Sequence, residues 1–478
     1  MAYEPVIGLE IHVQLKTRSK MFCGNAVEFG AEPNTHVCPV CLGLPGALPV
    51  VNAEAVDLGI RAGLGLGCTV HEASIFARKN YFYPDLPKGY QITQFDRPLA
   101  TDGGIDVDGD DGLPAHRVRI RRIHLEEDAG KSLHDRLAGR TAVDLNRAGV
   151  PLVEIVTEPD LASPAQARAF LARLKQTLEY LDVSDCDMEK GSLRVDANVS
   201  IRPAGSAGLG TKTEVKNMNS FANVERALNF EIRRQTELVE AGGTVVQETL
   251  LWDQARGEAR AMRSKEESHD YRYFPDPDLP PLVLDARQID AIRAALPELP
   301  DARRRRFLEQ YGLPTYDAEV LTAAREVADY FEAAAAAVGD PKAASNWVMT
   351  DVLGWINQRQ CALADLPVTP ARLAELIGLV TNGTLSTTLA RQVFSRMAET
   401  GEAAAAIVQA EGLAQVRDAA QLEAWAEEVV AAHPDEAERY RQGEARLLGF
   451  FMGQLMKRSQ GKADPRQATA LLKARLEG

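Results

Sequence analysis

Carboxylate side chains recur within or beside apolar strand-like stretches in the N-terminal part of the chain. The group comprises Glu10, Glu126, Glu127, Glu154, Asp196 and Glu214. Clustered like charges repel one another, so such a set normally needs a cation to hold it together. Magnesium is the natural candidate, because it prefers oxygen ligands together with waters and phosphate oxygens. His12 could orient a ligand or bind the ion directly. The alternative for each carboxylate taken singly is a solvated strand face.

The elements that position these groups show a period of two residues. The apolar residues of the first such stretch are Leu9, Ile11, Val13 and Leu15, and its polar residues are Glu10, His12 and Gln14. Because side chains alternate faces along a strand, we expect the polar set to share one face and the apolar set to cover the core. The same pattern places together Arg194, Asp196, Asn198 and Ser200. It does not give the distance between strands.

The stretch that ends in Gly130-Lys131-Ser132 invites comparison with a phosphate-binding P-loop. That motif requires a glycine where this chain has Leu125, and three acidic residues stand where backbone amides should cradle phosphate. We therefore reject a P-loop. A metal held by the carboxylates would bind phosphate instead, with Lys131 neutralising its charge. The alternative is that Lys131 is an ordinary surface lysine.

Three cysteines near the N-terminus suggest half of a zinc site. Cys38 and Cys41 are separated by two residues, and Cys23 precedes them. Paired thiolates at this spacing commonly supply half of a tetrahedral zinc site, but a structural site needs a fourth ligand. His36 is near, although its position two residues from Cys38 gives it an awkward reach. The alternative is a loop held by packing alone.

Basic residues are concentrated in three places. Four arginines, at 117, 119, 121 and 122, fall within six residues, and Arg303–Arg306 follow one another. Either group could hold phosphate, or simply form a solvated charged edge. Residues 445–476 contain seven basic residues against Asp464, on a chain whose net charge is −14. A cationic tail on an acidic protein suits a phosphate backbone, with recognition by shape if the ligand is folded RNA.

Composition and texture predict three soluble domains. No apolar run approaches the roughly 18 residues that a membrane span needs, and the N-terminus does not have the pattern of a signal peptide, so we expect a cytoplasmic protein. Residues 1–296 alternate in the manner of a strand-rich α+β domain. Residues 297–410 are rich in Ala, Leu, Arg and Glu at helical spacing, and residues 411–478 form a small helical tail. Asp464 is predicted to cap the last helix, with Pro465 at its first position.

The chain contains long ordered blocks that are more specific than any single short motif. They are VIGLEIH (6–12), NYFYPDLPKGYQ (80–91), HLEEDAGK (124–131), DLNRAGVPLVEI (144–155), GSLRVDAN (191–198), DYRYFP (270–275) and GQLMK (453–457). Together these blocks resemble the family of B subunits of aspartyl/glutamyl-tRNA(Asn/Gln) amidotransferases, the GatB/GatE family in its GatB form. The resemblance covers essentially the whole chain.

The resemblance implies a fold and a reaction. The fold would be a mainly antiparallel-sheet cradle related to glutamine synthetase, followed by an all-α domain and a helical tail that grip tRNA. In the reaction, ATP phosphorylates the side-chain carboxyl of Glu-tRNA(Gln) or Asp-tRNA(Asn), and ammonia then displaces phosphate. The implied partners are the A subunit, a glutaminase that releases ammonia from glutamine, the C subunit, and the misacylated tRNA, with neither a membrane nor DNA among them. This chain does not contain a nucleophile motif of a hydrolase, which agrees with the assignment of glutamine hydrolysis to the A subunit.

The resemblance also implies roles for particular residues. The magnesium and ATP site would comprise Glu10, His12, Glu126, Glu127, Glu154, Asp196 and Glu214, with Lys131 and Lys216 as further ATP-binding candidates. Glu126, Glu127 and His12 would be the catalytic residues. Zinc-bearing relatives carry a fourth cysteine where this chain has Asn25, which puts zinc at Cys23, Cys38 and Cys41 in doubt. The competing interpretation is a subunit that only positions tRNA for another catalytic chain.

Overall fold

The computed structural model describes residues 2–108, 114–137, 139–262, 271–414 and 418–477. Asp270, the first residue of one block above, lies outside this range. The chain forms two compact units, Met1–Leu299 and Pro300–Gly478. Among the described residues, no helix is long and apolar enough to cross a membrane.

The first unit contains the strands of the structure. They are β1 Tyr3–Gln14, β2 Thr69–Val70, β3 Ala73–Ser74, β4 Phe76–Asn80, β5 Tyr90–Gln94, β6 Ala100–Val107, β7 His116–Glu127, β8 Lys131–Leu137, β9 Arg140–Asp144, β10 Pro151–Thr157, β11 Leu193–Pro203, β12 Thr213–Met218, β13 Thr249–Asp253, β14 Glu258–Ala261, β15 Phe274–Pro275 and β16 Leu282–Val283. Its helices are α1 Ala53–Gly65, α2 Pro164–Tyr180, α3 Phe221–Glu240 and α4 Ala286–Ala294.

Nine of the strands form one large sheet. Their order is β14, β13, β12, β11, β1, β10, β7, β6 and β2, and neighbours run antiparallel except β12 and β13, which run parallel. Strand β1 therefore lies near the centre, between β10 and β11. Strands β15, β4 and β5 form a separate three-stranded sheet, and β8 pairs with β9.

One face of the large sheet packs against helices α1, α2 and α3. Each of these helices is preceded by a polar N-cap residue whose side chain accepts a hydrogen bond from a backbone amide of the first turn. These N-cap residues are Asn52, Ser163 and Ser220. The predicted apolar residues of β1 are buried in this core: Leu9, Ile11, Val13 and Leu15. The alternation expected for β1 is confirmed, and it leaves the polar side chains of the strand on the other face of the sheet.

Every regular element among the described residues of the second unit is a helix, including a π-helical turn at Val348–Val352 and a 3-10 turn at Leu363–Asp365. Its helices are α5 Pro300–Tyr311, α6 Thr315–Leu321, α7 Arg325–Val338, α8 Pro341–Trp347, α9 Leu353–Arg359, α10 Pro370–Thr381, α11 Thr387–Thr400, α12 Ala404–Glu411, α13 Ala419–Ala432, α14 Pro434–Arg441, α15 Leu447–Arg458 and α16 Pro465–Glu477. One hydrophobic cluster runs from Phe307 to Val408 and a separate one from Leu422 to Leu476. The sequence division at 410/411 falls in the last turn of α12.

The α+β class expected from the sequence is confirmed, with the sheet in the first unit and helices alone in the second. The cap of the last helix is also confirmed, because Asp464 Oδ1 accepts hydrogen bonds from the backbone amides of Arg466 and Gln467 at 2.9 and 3.1 Å. Residues 125–127 belong to strand β7 rather than to a glycine-rich loop, in agreement with the rejection of a P-loop.

Candidate active site

The sheet face that the helices leave open carries most of the polar residues singled out above. In the strand register, His12 lies opposite Glu154 on one side and opposite Arg194 on the other. Glu10 lies opposite Asp196. Directly opposed residues of antiparallel strands point to the same side of a sheet, so side chains from three strands share this face.

His12, Glu126 and Glu154 form a compact group, here termed the carboxylate cluster. His12 Nε2 lies 3.5 Å from Glu126 Oε1 and 3.5 Å from Glu154 Oε2. One potential ligand atom from each residue lies within 4.8 Å of those of the other two. Both glutamates are buried and His12 is half-buried. Residues from β1, β7 and β10, far apart in sequence, thus converge on one point.

His124 supports this cluster and was not predicted as a site residue. Its Nε2 lies 3.0 Å from Glu154 Oε2 and 3.8 Å from Glu126 Oε2. Burial would lower the pKa of His124, but the two carboxylates raise it to about 9. Burial would likewise raise the pKa of Glu154, but His124, His12 and Lys79 hold it below its ordinary range. The signal was available, because His124 stands two residues before Glu126 on one strand.

A second polar group lies on β11 and β12. Lys216 Nζ lies 2.6 Å from Asp196 Oδ2 and 2.9 Å from Glu214 Oε1. Glu10 lies opposite Asp196 of this group, and its Oε1 accepts a hydrogen bond from Asn198 at 3.1 Å. Burial, reinforced by the surrounding carboxylates, raises the pKa of Glu10. Asp196 and Glu214 therefore already have a cationic partner, whereas the carboxylate cluster does not include a lysine within ion-pair distance among the described residues.

Two predicted site residues lie elsewhere. Glu127 points away from Glu126, because consecutive residues of a strand face opposite sides. Its Oε1 accepts hydrogen bonds from Lys88 Nζ and from the Ile92 amide. Lys131 is exposed at the start of β8, in the separate β8–β9 hairpin. The structure does not bring either residue into the carboxylate cluster.

The donors of the carboxylate cluster fit a divalent cation. Two carboxylates and an imidazole supply three ligand atoms, which leaves further positions for water or phosphate oxygens. Glu126 Oε1 is buried and has no hydrogen-bond partner among the residues that the structure describes. A buried carboxylate oxygen without a partner is costly. A bound cation would remove that cost.

A cavity of about 230 Å³ lies further along the strands, and none of the three residues of the carboxylate cluster lines it. Glu10, Asn198, Ser200 and Lys212 are among its lining residues. The structure thus offers a cation site on the open face and, further along, a concave surface that bears hydrogen-bonding groups and a positive charge.

Comparison with known proteins identifies the family of the chain. Residues 5–290 match the family model described as the GatB/GatE catalytic domain, and residues 329–476 match the model described as the GatB domain. The chain belongs to the GatB/GatE family. Proteins named as the B subunit of aspartyl/glutamyl-tRNA(Asn/Gln) amidotransferase are similar over the full length of both chains in Chlorobium phaeobacteroides (strain BS1), at 53% identity, and in Moorella thermoacetica (strain ATCC 39073 / JCM 9320), at 54%. The resemblance inferred from the ordered blocks is confirmed.

This GatB/GatE family chain contains a second group of potential ligands, Cys23, Cys38 and Cys41, here termed the thiol cluster. One ligand atom from each lies within 4.8 Å of the others. The hydrogen bond from Cys23 lowers the pKa of Cys41 to about 4, against the effect of burial. The same bond, with burial, raises the pKa of Cys23.

The thiol cluster supplies three of the four ligands of a structural zinc site. Asn25 Nδ2 lies 3.7 Å from Cys41 Sγ, as a hydrogen-bond donor rather than a thiolate. His36 Nε2 lies 3.3 Å from Glu28 Oε2, so its ring is engaged outside the cluster. Within the described residues the cluster does not include a fourth cysteine or histidine. Zinc at this position stays a prediction.

Arg119 and Arg303, one from each arginine run, pair with carboxylates. Arg119 donates two hydrogen bonds to Asp160, at 2.8 and 2.7 Å. Arg303 pairs with Asp329 at 2.6 Å and with Glu332. These guanidinium groups are therefore partly neutralised within the chain, which favours the charged-edge alternative for them.

Proposed function

We propose that the chain is the B subunit of a glutamine-dependent tRNA amidotransferase. In this proposal it uses ATP to phosphorylate the side-chain carboxyl of Glu-tRNA(Gln), of Asp-tRNA(Asn), or of both, and the activated carboxyl is then amidated to give Gln-tRNA(Gln) or Asn-tRNA(Asn). The name shared by the full-length relatives supports the complex and its tRNA substrate. The convergence of His12, Glu126 and Glu154 on one point, with Glu126 Oε1 lacking a hydrogen-bond partner among the described residues, supports the phosphorylation step.

The chemistry requires activation because a carboxylate is a poor electrophile. A carboxylate oxygen of the aminoacyl group would attack the γ-phosphorus of ATP, forming a carbon–oxygen–phosphorus bridge as the bond to ADP breaks. Ammonia would then form the carbon–nitrogen bond, inorganic phosphate would leave with the bridging oxygen, and the nitrogen would lose a proton. The two steps together consume one ATP and produce one amide.

The residues of the open face would hold the reactants. His12, Glu126 and Glu154 would bind Mg²⁺, which supplies charge stabilisation to the phosphates when bound. His124 would keep Glu154 ionised and fixed in position through the 3.0 Å ion-pair contact of its Nε2 with Glu154 Oε2. Glu10 lines the cavity and would lie where the nucleotide passes between that cavity and the carboxylate cluster. Asp196, Glu214 and Lys216 would form the polar wall on the opposite side.

The remaining parts of the proposal concern partners. Ammonia would come from the A subunit, a glutaminase, and the C subunit would complete a heterotrimer in the cytoplasm. The second unit would bind tRNA away from its reacting end, where the basic tail favours a phosphate backbone.

The test is ATP hydrolysis by the assembled enzyme without glutamine, stimulated by misacylated tRNA. We expect Glu126→Gln and His12→Ala to lose the stimulated rate while retaining tRNA binding, because each removes a ligand atom from the carboxylate cluster. Lys190→Met, at an exposed lysine that pairs with Asp187, is the control and should keep the wild-type rate. Full activity in both cluster variants would exclude this site and favour a protein that only positions tRNA.

A further inference from the structure

Lys79 stands on β4, opposite Gln91 of β5, and belongs to neither of the polar groups described above. Its ammonium nitrogen lies 4.8 Å from the ring centre of Tyr271 and 5.8 Å from that of Tyr81. The two rings pack edge to face, with centres 6.0 Å apart. Such cation–π contacts hold an ammonium group in place without neutralising its charge.

The ammonium of Lys79 differs from those of the other enclosed lysines in this unit. Lys88 donates to Glu127, Lys216 lies between Asp196 and Glu214, and Lys20 donates to the carbonyl oxygen of His36 at 2.7 Å. In the part of the chain that the structure describes, Lys79 Nζ has neither a hydrogen-bond acceptor nor a carboxylate within 4.0 Å. An ammonium has three donors, so those of Lys79 are available to an anion that binds at this position.

The surroundings keep Lys79 charged. Burial would lower the pKa of Lys79, but Tyr273, Glu126 and Glu154 raise it above its ordinary value. The pairing of β4 with β5 places Lys79 on the face of the small sheet that carries Thr93, whose hydroxyl donates to Glu126 Oε2 at 3.2 Å, so Lys79 faces the carboxylate cluster without an ion pair to it. Tyr273 is itself stacked on Phe95, with ring centres 4.0 Å apart, so this aromatic wall is packed in place.

An ammonium held in this manner can bind an anion that lies between Lys79 and the carboxylate cluster. A transferring phosphoryl group carries charge on three oxygens and is stabilised by preorganised cations. We propose that Lys79 binds the γ-phosphoryl group of ATP, on the side opposite the ion held by His12, Glu126 and Glu154. This inference rests on the proposed function and adds to it the group that distinguishes ATP from ADP.

The experiment compares the affinities of the full-length chain for Mg²⁺–ADP and for the Mg²⁺ complex of an ATP analogue with a β,γ-imido bridge, by calorimetry. In Lys79→Met, we expect the analogue to bind roughly tenfold to a hundredfold more weakly, as for the loss of a charge-assisted hydrogen bond. ADP binding should change less than about twofold, because ADP has no γ-phosphoryl group. Lys79→Arg should recover part of the affinity for the analogue.

Lys16→Met is the matched control, since Lys16 is an exposed lysine of the same unit that pairs with Asp182. Equal analogue affinities in Lys79→Met and Lys16→Met would overturn the inference, as would an equal weakening of ADP and analogue. Failure of the wild-type chain to bind either nucleotide would instead contradict the proposed function. Lys79→Gln is the second neutral variant; if neither neutral variant folds, Lys79 serves the fold and the inference is wrong.

Discussion

The carboxylate cluster and the thiol cluster are both groups of three potential ligands within one unit, yet they are built in different ways. Each member of the carboxylate cluster stands on a strand of the large sheet, and pairing between strands sets its position. The thiol cluster lies in the irregular segment between β1 and α1, where short-range bonds such as Cys38 N to Cys41 Sγ, at 3.0 Å, set the geometry.

The electrostatics of the two clusters also differ. Beside the carboxylate cluster, the imidazolium of His124 offsets one of the two glutamate charges, and Glu126 Oε1 lacks a hydrogen-bond partner among the described residues. In the thiol cluster, the Cys41 sulfur accepts hydrogen bonds from Asn25 and Lys20, both at 3.7 Å, in addition to the Cys38 amide. The first arrangement needs a further ligand to be satisfied, whereas the second is largely satisfied by its own loop.

The largest effect is expected for Glu154→Gln, which removes one charge from the carboxylate cluster. The tRNA-stimulated rate of ATP hydrolysis should fall about 10³-fold, because a group positioned to stabilise the phosphates is lost. In the thiol cluster, Cys41→Ser should act on stability and leave the rate per folded molecule within about threefold, as for an independent site. Steady-state kinetics at saturating Mg²⁺ measures the rate of ATP hydrolysis in both variants. Similar losses in the two variants would show that the clusters are not functionally distinct.

The next effect concerns the framework beside the carboxylate cluster. Asp128 is buried and accepts two hydrogen bonds from Arg194, at 2.9 and 3.0 Å. Asp128→Ala leaves that guanidinium without its partner, and we expect the free energy of unfolding to fall by about 3 kcal/mol. The low end of the usual range applies because 31% of the Arg194 side chain is exposed. Urea unfolding of the variant measures this change, and Lys16→Met is the control. A decrease in the free energy of unfolding of less than about 1 kcal/mol in Asp128→Ala would contradict a structural role for the Asp128–Arg194 pair.

The sequence predicted those parts of the site that depend on one strand at a time. Alternation assigned Glu10 and His12 to one face of β1 and Leu9 and Ile11 to the core, and the burial of these residues agrees. The same rule places Glu127 on the face opposite Glu126, and its assignment to the site stays a prediction. His124 was missed although it has the same parity as Glu126.

Other features could not be inferred from one sequence. The position of Lys79 depends on how the small β15–β4–β5 sheet packs near the cluster, and this involves residues far apart in the chain. The ion pairing of Asp196 with Lys216 depends on the register between β11 and β12, which shifts between Val195 and Ala197. Irregular register and loop packing leave no periodic signal in a sequence.

A smaller effect should follow from completing the thiol cluster. Asn25→Cys places a fourth sulfur near Cys41, and zinc affinity should rise roughly tenfold, because a fourth thiolate closes the tetrahedral shell. Asn25→Ser is the control, since it removes the amide without adding a thiol. Competition with a chromophoric chelator measures the affinity of the wild type and both variants. Equal affinities in Asn25→Cys and Asn25→Ser would mean that the loop cannot present four ligands.

The smallest effect is expected for His36→Ala, which tests whether histidine already serves as the fourth ligand. The ring of His36 lies beside Glu28, while its backbone amide donates to Asn146 at 2.8 Å and its carbonyl accepts from Lys20. Alanine keeps both backbone bonds, so we expect zinc affinity to change less than about twofold, the loss of a half-exposed ion pair having little effect on its surroundings. The same chelator competition measures it. A tenfold loss would show that the imidazole binds the metal. The thiol cluster would then resemble the carboxylate cluster in combining a histidine with anionic ligands.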